Sequence, residues 1–171
     1  KGRFWMRMLK TSAATAFAAA VLVSSASDAS VSGYVEASYN RNLNSPPAGF
    51  TPSPWRGYDQ DFNTFTLNNA HVAISTEYGG SEFTLELDFG SNAMMDSLLS
   101  TGTADILSIQ EAFIETELGS SFGLKMGKFA TSVGVEVLEA PENPVFTHGY
   151  LFNYAMPAPH TGLLGTYAEA T

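Results

Sequence analysis

From Ser32 onward, apolar and polar residues alternate along the chain in six separate stretches. The plainest is "EFTLELDFG", Glu82 to Gly90. Phe83, Leu85, Leu87 and Phe89 fall at one parity, and Glu82, Thr84, Glu86 and Asp88 at the other. Side chains of a strand point alternately to opposite faces, so this pattern predicts a strand with one apolar and one acidic face. The same pattern predicts strands at Ser32 to Leu43, Thr64 to Glu77, Ile106 to Leu118, Gly123 to Ala130 and Thr161 to Thr171. In the second of the six, Phe65 and Leu67 share one parity while Ala70, Val72 and Ile74 share the other. A bulge near Asn68-Asn69 would bring them to one face. No helical period of comparable length follows residue 30.

The connections sharpen the prediction. A long loop (Asn44 to Asn63) is followed by a tight turn (Tyr78 to Ser81), a long loop (Ser91 to Asp105), a short turn (Gly119 to Phe122) and a very long connection (Thr131 to His160). Strands that cross a membrane up and down place short turns on one side and long loops on the other. The expected fold is therefore all-β: an antiparallel up-and-down transmembrane β-barrel, of which residues 30–171 supply the N-terminal strands. The alternative is a secreted, soluble β-sandwich that binds carbohydrate or a protein partner through its aromatic loops.

In the barrel, the acidic parity lines the pore. The candidate lining residues are Glu36, Glu82, Glu86, Asp88, Glu111, Glu115 and Glu117, with Lys125 and Arg41 as minority positive charges. The connection from Thr131 to His160 is too apolar for a solvated loop, with Val133, Val135, Val137, Leu138, Phe146 and Phe152. Its length also asks for a functional reason. An inward fold that narrows the pore would place Glu136, Glu139, Glu142 and His148 at a constriction. An extra hairpin or a loop packed on the surface is the alternative. Tyr34, Tyr39, Trp55, Tyr58, Tyr78 and Phe122 stand at or beyond strand ends, where interfacial aromatic girdles occur.

The charge is distributed unevenly. The chain has a net charge of −9, yet Lys1, Arg3, Arg7 and Lys10 supply half of its eight basic residues. From Ser30 onward, four basic residues face sixteen carboxylates, a balance of −12. Nucleic acid is excluded as a partner, because phosphate binding needs basic patches. The basic start is followed by the apolar "TSAATAFAAAVLV" (Thr11 to Val23) and the small residues "SSASDAS". These form the n-region, h-region and cleavage zone of a signal peptide over residues 1–29, with cleavage near 26–29. The apolar run is shorter than the roughly 20 residues that cross a bilayer. Met6 and Met8 are candidate translation starts. There are no cysteines, which excludes disulfides, thiolate metal sites and cysteine nucleophiles.

No motif points to catalysis. "GSSFG" (Gly119 to Gly123) matches the G-x-S-x-G of hydrolases, but it joins two strands at a turn instead of leading into a helix. Gly127-Lys128 lacks the upstream Gly and the following Ser or Thr of a phosphate-binding loop. His71, His148 and His160 are scattered, and "DQD" (Asp59 to Asp61) lacks the full calcium-loop spacing. No enzymatic activity, cofactor or metal is expected.

Six ordered segments resemble the OmpL-like outer-membrane β-barrel porins, the β-barrel porin-2 family. They are "GYVEASYN" (Gly33 to Asn40), "NTFTLNNAHVAISTE" (Asn63 to Glu77), "LELDFG" (Leu85 to Gly90), "IQEAFIE" (Ile109 to Glu115), "GKFATSVGVEVLEAPEN" (Gly127 to Asn143) and "LFNYAMPAPHTG" (Leu151 to Gly162). The resemblance implies a bacterial outer-membrane barrel with a signal peptide that passes small hydrophilic solutes by diffusion. Family members often carry Arg shortly before the "LF" segment, where this chain has His148. Six strands cannot close a pore, and an open edge is not viable in lipid, so the chain is expected to be the N-terminal part of a longer protein. The expected partners are outer-membrane lipid and small solutes, with cations or neutral molecules preferred, and self-association into a homo-oligomer fits a porin.

Overall fold

The computed structural model describes residues 29–41, 43, 57–58 and 60–169. The expected signal peptide, up to residue 28, lies outside the described residues. So does most of the first long loop, including Trp55.

Six strands form: β1 (Ser30–Tyr39), β2 (Phe65–Tyr78), β3 (Ser81–Phe89), β4 (Leu107–Glu117), β5 (Phe122–Phe129) and β6 (His160–Tyr167). They build one sheet in sequence order, and every neighbouring pair is antiparallel. This is the all-β, up-and-down arrangement that the alternation predicts, with strand ends displaced by up to four residues. Two turns are short for a local reason. Gly79 and Gly80 adopt φ of 62° and 79°, and two consecutive positive φ values suit the tight hairpin turn whose twist matches the flanking strands. The second turn closes where Leu118 N–H donates to the Phe122 carbonyl at 2.7 Å.

The register sorts the side chains into two faces. Val31, Gly33 and Val35 of β1 stand opposite Ile74, Val72 and Ala70 of β2, and these stand opposite Leu85, Leu87 and Phe89 of β3. The other face carries rows such as Tyr34, His71, Asp88 and Ser108 on successive strands. The expected bulge is present: Glu36 pairs with Asn69 and Ala37 with Leu67, so Asn68 is the extra residue. A second bulge lies between β3 and β4, where Glu86 pairs with Glu111 and Leu87 with Ile109, which leaves Gln110 over. An extra residue re-aims side chains; Asn68, Asn69 and Gln110 are all buried on the polar side.

Burial is inverted relative to a soluble domain. Among the described residues the buried apolar side chains are Ala93 and Phe129. Ten polar or charged residues are buried, among them Asn69, His71, Asp88, Asp96 and Gln110. Large apolar residues on the opposite face stay open, with Val35 73 %, Phe65 83 % and Leu163 68 % exposed.

The long connections hold helical pieces that the alternation does not announce. Helix α1 (Ser91–Thr101) occupies the connection expected to be a loop, and it ends at Gly102 with φ 78°. It packs against β2, β3 and β4. Its buried residues are Asn92, Ala93, Asp96 and Ser97, so its polar side meets the polar face of the sheet. The third connection carries a 3-10 turn (Ala140–Glu142) and the short helix α2 (Tyr150–Tyr154). No helix among the described residues is long and apolar enough to cross a membrane.

Candidate functional site

The polar face is the candidate site, and antiparallel register assembles it. Near the long-loop end, His71 Nδ1 lies 2.8 Å from Asp88 Oδ1, with both residues buried. The Tyr34 ring stacks on His71 at 5.0 Å between centroids. Asn69 Nδ2 donates to the Tyr34 hydroxyl at 3.4 Å. Ser108 donates to the Asp96 carboxylate of α1. Lys128 Nζ lies 3.6 Å from the same carboxylate and donates to the Ile109 carbonyl. One set of contacts thus joins β1, β2 and β3 and another joins β4, α1 and β5, with Asp88 and Ser108 paired in register between them.

The expected lining carboxylates all belong to this face. Glu36 is half-buried opposite Asn69, and Glu86 stands opposite Glu111. Glu111 accepts a hydrogen bond from Ala130 N–H. Toward the short turns, register puts Glu77, Glu82, Glu115 and Lys125 in one row across β2 to β5. Lys125 Nζ lies 3.1 Å from Glu115 Oε2 and 4.0 Å from the centre of the Phe113 ring. Glu117 is exposed at the end of β4, opposite Gly123. Like charges directly opposite each other are unfavourable; here Lys125 offsets one of three neighbouring carboxylates. A recess of about 650 Å³ opens at this end, bordered by Glu77, Glu82, Glu115 and Glu117. Arg41 is exposed just beyond β1.

Four loop residues were candidates for a constriction. Glu139 reaches the wall, where Gln110 Nε2 donates to its carboxylate. Burial pushes the Glu139 carboxyl up; hydrogen bonds from its own backbone and from Gln110 work against the rise, and the Glu142 and Asp88 charges add to it. Glu136 accepts from Gly149 N–H at 3.1 Å and so ties the loop to itself. Glu142 is exposed in the 3-10 turn. His148 is buried, with Nε2 2.9 Å from the Val137 carbonyl oxygen. Its ring packs on Phe152 at 4.1 Å and on Tyr58 at 5.2 Å, which joins the third long connection to the first. Gly57 N–H donating to Asn153 Oδ1 at 3.1 Å makes the same junction. Burial, followed by the Asp96 and Asp88 charges, pushes the Tyr58 phenol up, so it stays neutral.

Sequence reasoning missed His71, Asn69, Gln110, Asp96 and Lys128. The shift of parity in β2 was the available signal for Asn69 and His71. No parity signal marks Gln110, because its bulge becomes visible only when β3 and β4 are paired. Among the described residues no three His, Asp or Glu side chains converge as a metal-ligand set.

Comparison with known families matches residues 28–170 to the family described as "Putative beta-barrel porin-2, OmpL-like". No curated protein and no solved structure matches the chain at a significant level. The match spans all six strands, both bulges and the loops between them, and the chain therefore belongs to this family of OmpL-like β-barrel porins.

Proposed function

We propose that the protein is an outer-membrane diffusion channel for small hydrophilic solutes, with its polar face as the water-filled lumen and its apolar face against lipid. The observation that carries this reading is the inverted burial. Asp88 and Asn69 are fully buried while Val35 and Phe65 on the other face are open. In water such a surface is unfavourable, by roughly 25 cal/mol for each Å² of apolar area left exposed. In lipid it is the required arrangement. A soluble sandwich needs a second layer over the apolar face, and the described strands form a single sheet.

Selectivity follows from charge and width. Carboxylates outnumber cationic groups on the polar face, which favours cations and neutral solutes over anions. The contact of Glu139 with Gln110 on the wall supports Thr131 to His160 as the constriction loop that narrows the passage. Because the role is passage and not bond chemistry, no catalytic residue is assigned. The test is expression of the full-length protein in a Gram-negative host, with membrane fractionation and heat-dependent gel mobility. A heat-modifiable band in the outer membrane is expected. A soluble periplasmic product would overturn the reading.

A further inference from the structure

A second hollow lies away from the carboxylate rows. It measures about 270 Å³ and sits at the long-loop end, between the rim of β1 and β2, Gly57, Tyr58, Gln60, Asp61 and α1. This is close to the lower end of the roughly 300–1,000 Å³ of small-molecule pockets, so it suits one small ring and not a chain. Its two sides differ in chemistry. Met94, Met95 and Leu98 of α1 form an apolar side. Helix α1 turns its polar residues to the sheet, so these apolar residues are left uncovered, and Met94 and Leu98 are 43 % and 45 % exposed.

The described residues of the opposite side are polar and, apart from Asp61, uncharged. Ser38 Oγ donates to Asn68 Oδ1 at 2.8 Å, and Asn40, Gln60 and Thr66 continue that edge. Ser91 Oγ is buried at the hollow without a hydrogen-bond partner among the described residues. A buried hydroxyl in that state costs free energy that a ligand hydroxyl would recover. Tyr58, a neutral phenol, borders the space, and among the described lining residues Asp61 is the charged one. Among the described residues that line it there is no Lys or Arg, so they offer an anionic ligand no counter-charge.

We propose that this hollow is a vestibule subsite for a neutral polyhydroxylated solute of monosaccharide size. A sugar ring has flat C–H faces that suit Met95 and Leu98. Its hydroxyls both donate and accept, as the buried Ser91 hydroxyl requires. The proposal rests on the channel reading, since it places the solute at the long-loop mouth, and it names a solute class for that channel.

The test uses the full-length protein in detergent, with glucose as probe and saturation-transfer NMR as readout. Saturable binding to the wild type is expected. Met95→Trp fills the hollow and should weaken glucose by about tenfold or more; Ser91→Ala should weaken it by about threefold. Leu98→Trp serves if Met95→Trp does not fold, as judged by heat-dependent mobility. Glucuronate should bind about tenfold more weakly than glucose, and Asp61→Asn should narrow that gap. Absence of saturable glucose binding, or equal binding by a folded cavity-filled variant, would overturn the subsite. Equal or tighter glucuronate binding would overturn the neutral class. The two readings fail separately: a conducting protein that ignores glucose loses only the subsite, and a glucose-binding protein that conducts no ions loses only the channel.

Discussion

Asp88 has no solvent exposure and is held by His71 Nδ1 at 2.8 Å, whereas Glu115 meets Lys125 at 3.1 Å with its side chain 36 % exposed. The two pairs should therefore respond differently to truncation. His71→Ala leaves a buried carboxylate without its ring partner and should cost about 1–3 kcal/mol. Urea unfolding of the protein in lipid vesicles would measure it; a curve that overlays the wild type would show that the pair carries no stability. Lys125→Ala removes a pair that water screens, worth about 0–1 kcal/mol. Its visible effect should be a stronger cation preference, because Glu115 is then left unbalanced. These residues also mark how far the sequence could be read. Parity alone identified Glu82, Glu86, Asp88, Glu111 and Glu115. It could not find the partner of Asp88, since His71 and Asp88 meet through register and not through spacing.

Strand β3 makes the division of faces testable at one residue step. Leu85 stands opposite Ile74 and Ala112 on the apolar face, and Glu86 stands opposite Ala73 and Glu111 on the polar one. Leu85→Arg should impair assembly by roughly 2–4 kcal/mol, the midplane cost of a cation facing lipid. Glu86→Arg should insert normally and shift ion selectivity toward anions. Equal insertion of both variants would mean that the faces are misassigned. The strands were legible because alternation is a strong local signal, and the parity break in β2 even located its bulge. Helix α1 was not legible for a physical reason. Its apolar residues Met94, Leu98 and Leu99 face outward, while Asn92 and Asp96 are buried against a polar wall. A pattern search that expects the apolar side to be buried reads this segment as a loop.

If the third connection constricts the passage as proposed, its contact through Glu139 and Gln110 should depend on pH with a definite sign. Burial raises the Glu139 carboxyl when the loop is docked. Docking is then fully favoured below the pKa of the undocked carboxyl and weakens as pH rises through the raised, docked value. Conductance should therefore be lower in acid and rise toward neutral pH as the loop loosens. Glu139→Gln keeps the amide contact without an ionisable group and should flatten the profile. A Glu139→Gln profile with the same slope as the wild type would remove Glu139 from the gating of the passage.

At the scale of the whole molecule, sheet order, inverted burial and charge point the same way. Six antiparallel strands in sequence order put the short turns at one end and α1, the 3-10 turn and α2 at the other. The family match covers this whole arrangement. In the proposed channel the lumen would carry the row of Glu77, Glu82 and Glu115, the pair Glu86 and Glu111, and Asp88, which the register places together. The reversal potential of the full-length protein in a planar bilayer under a potassium chloride gradient tests this most directly. The account predicts stepwise channel insertion with a reversal potential of the sign set by potassium. Channels that prefer chloride, or a folded protein that inserts and conducts nothing, would contradict it.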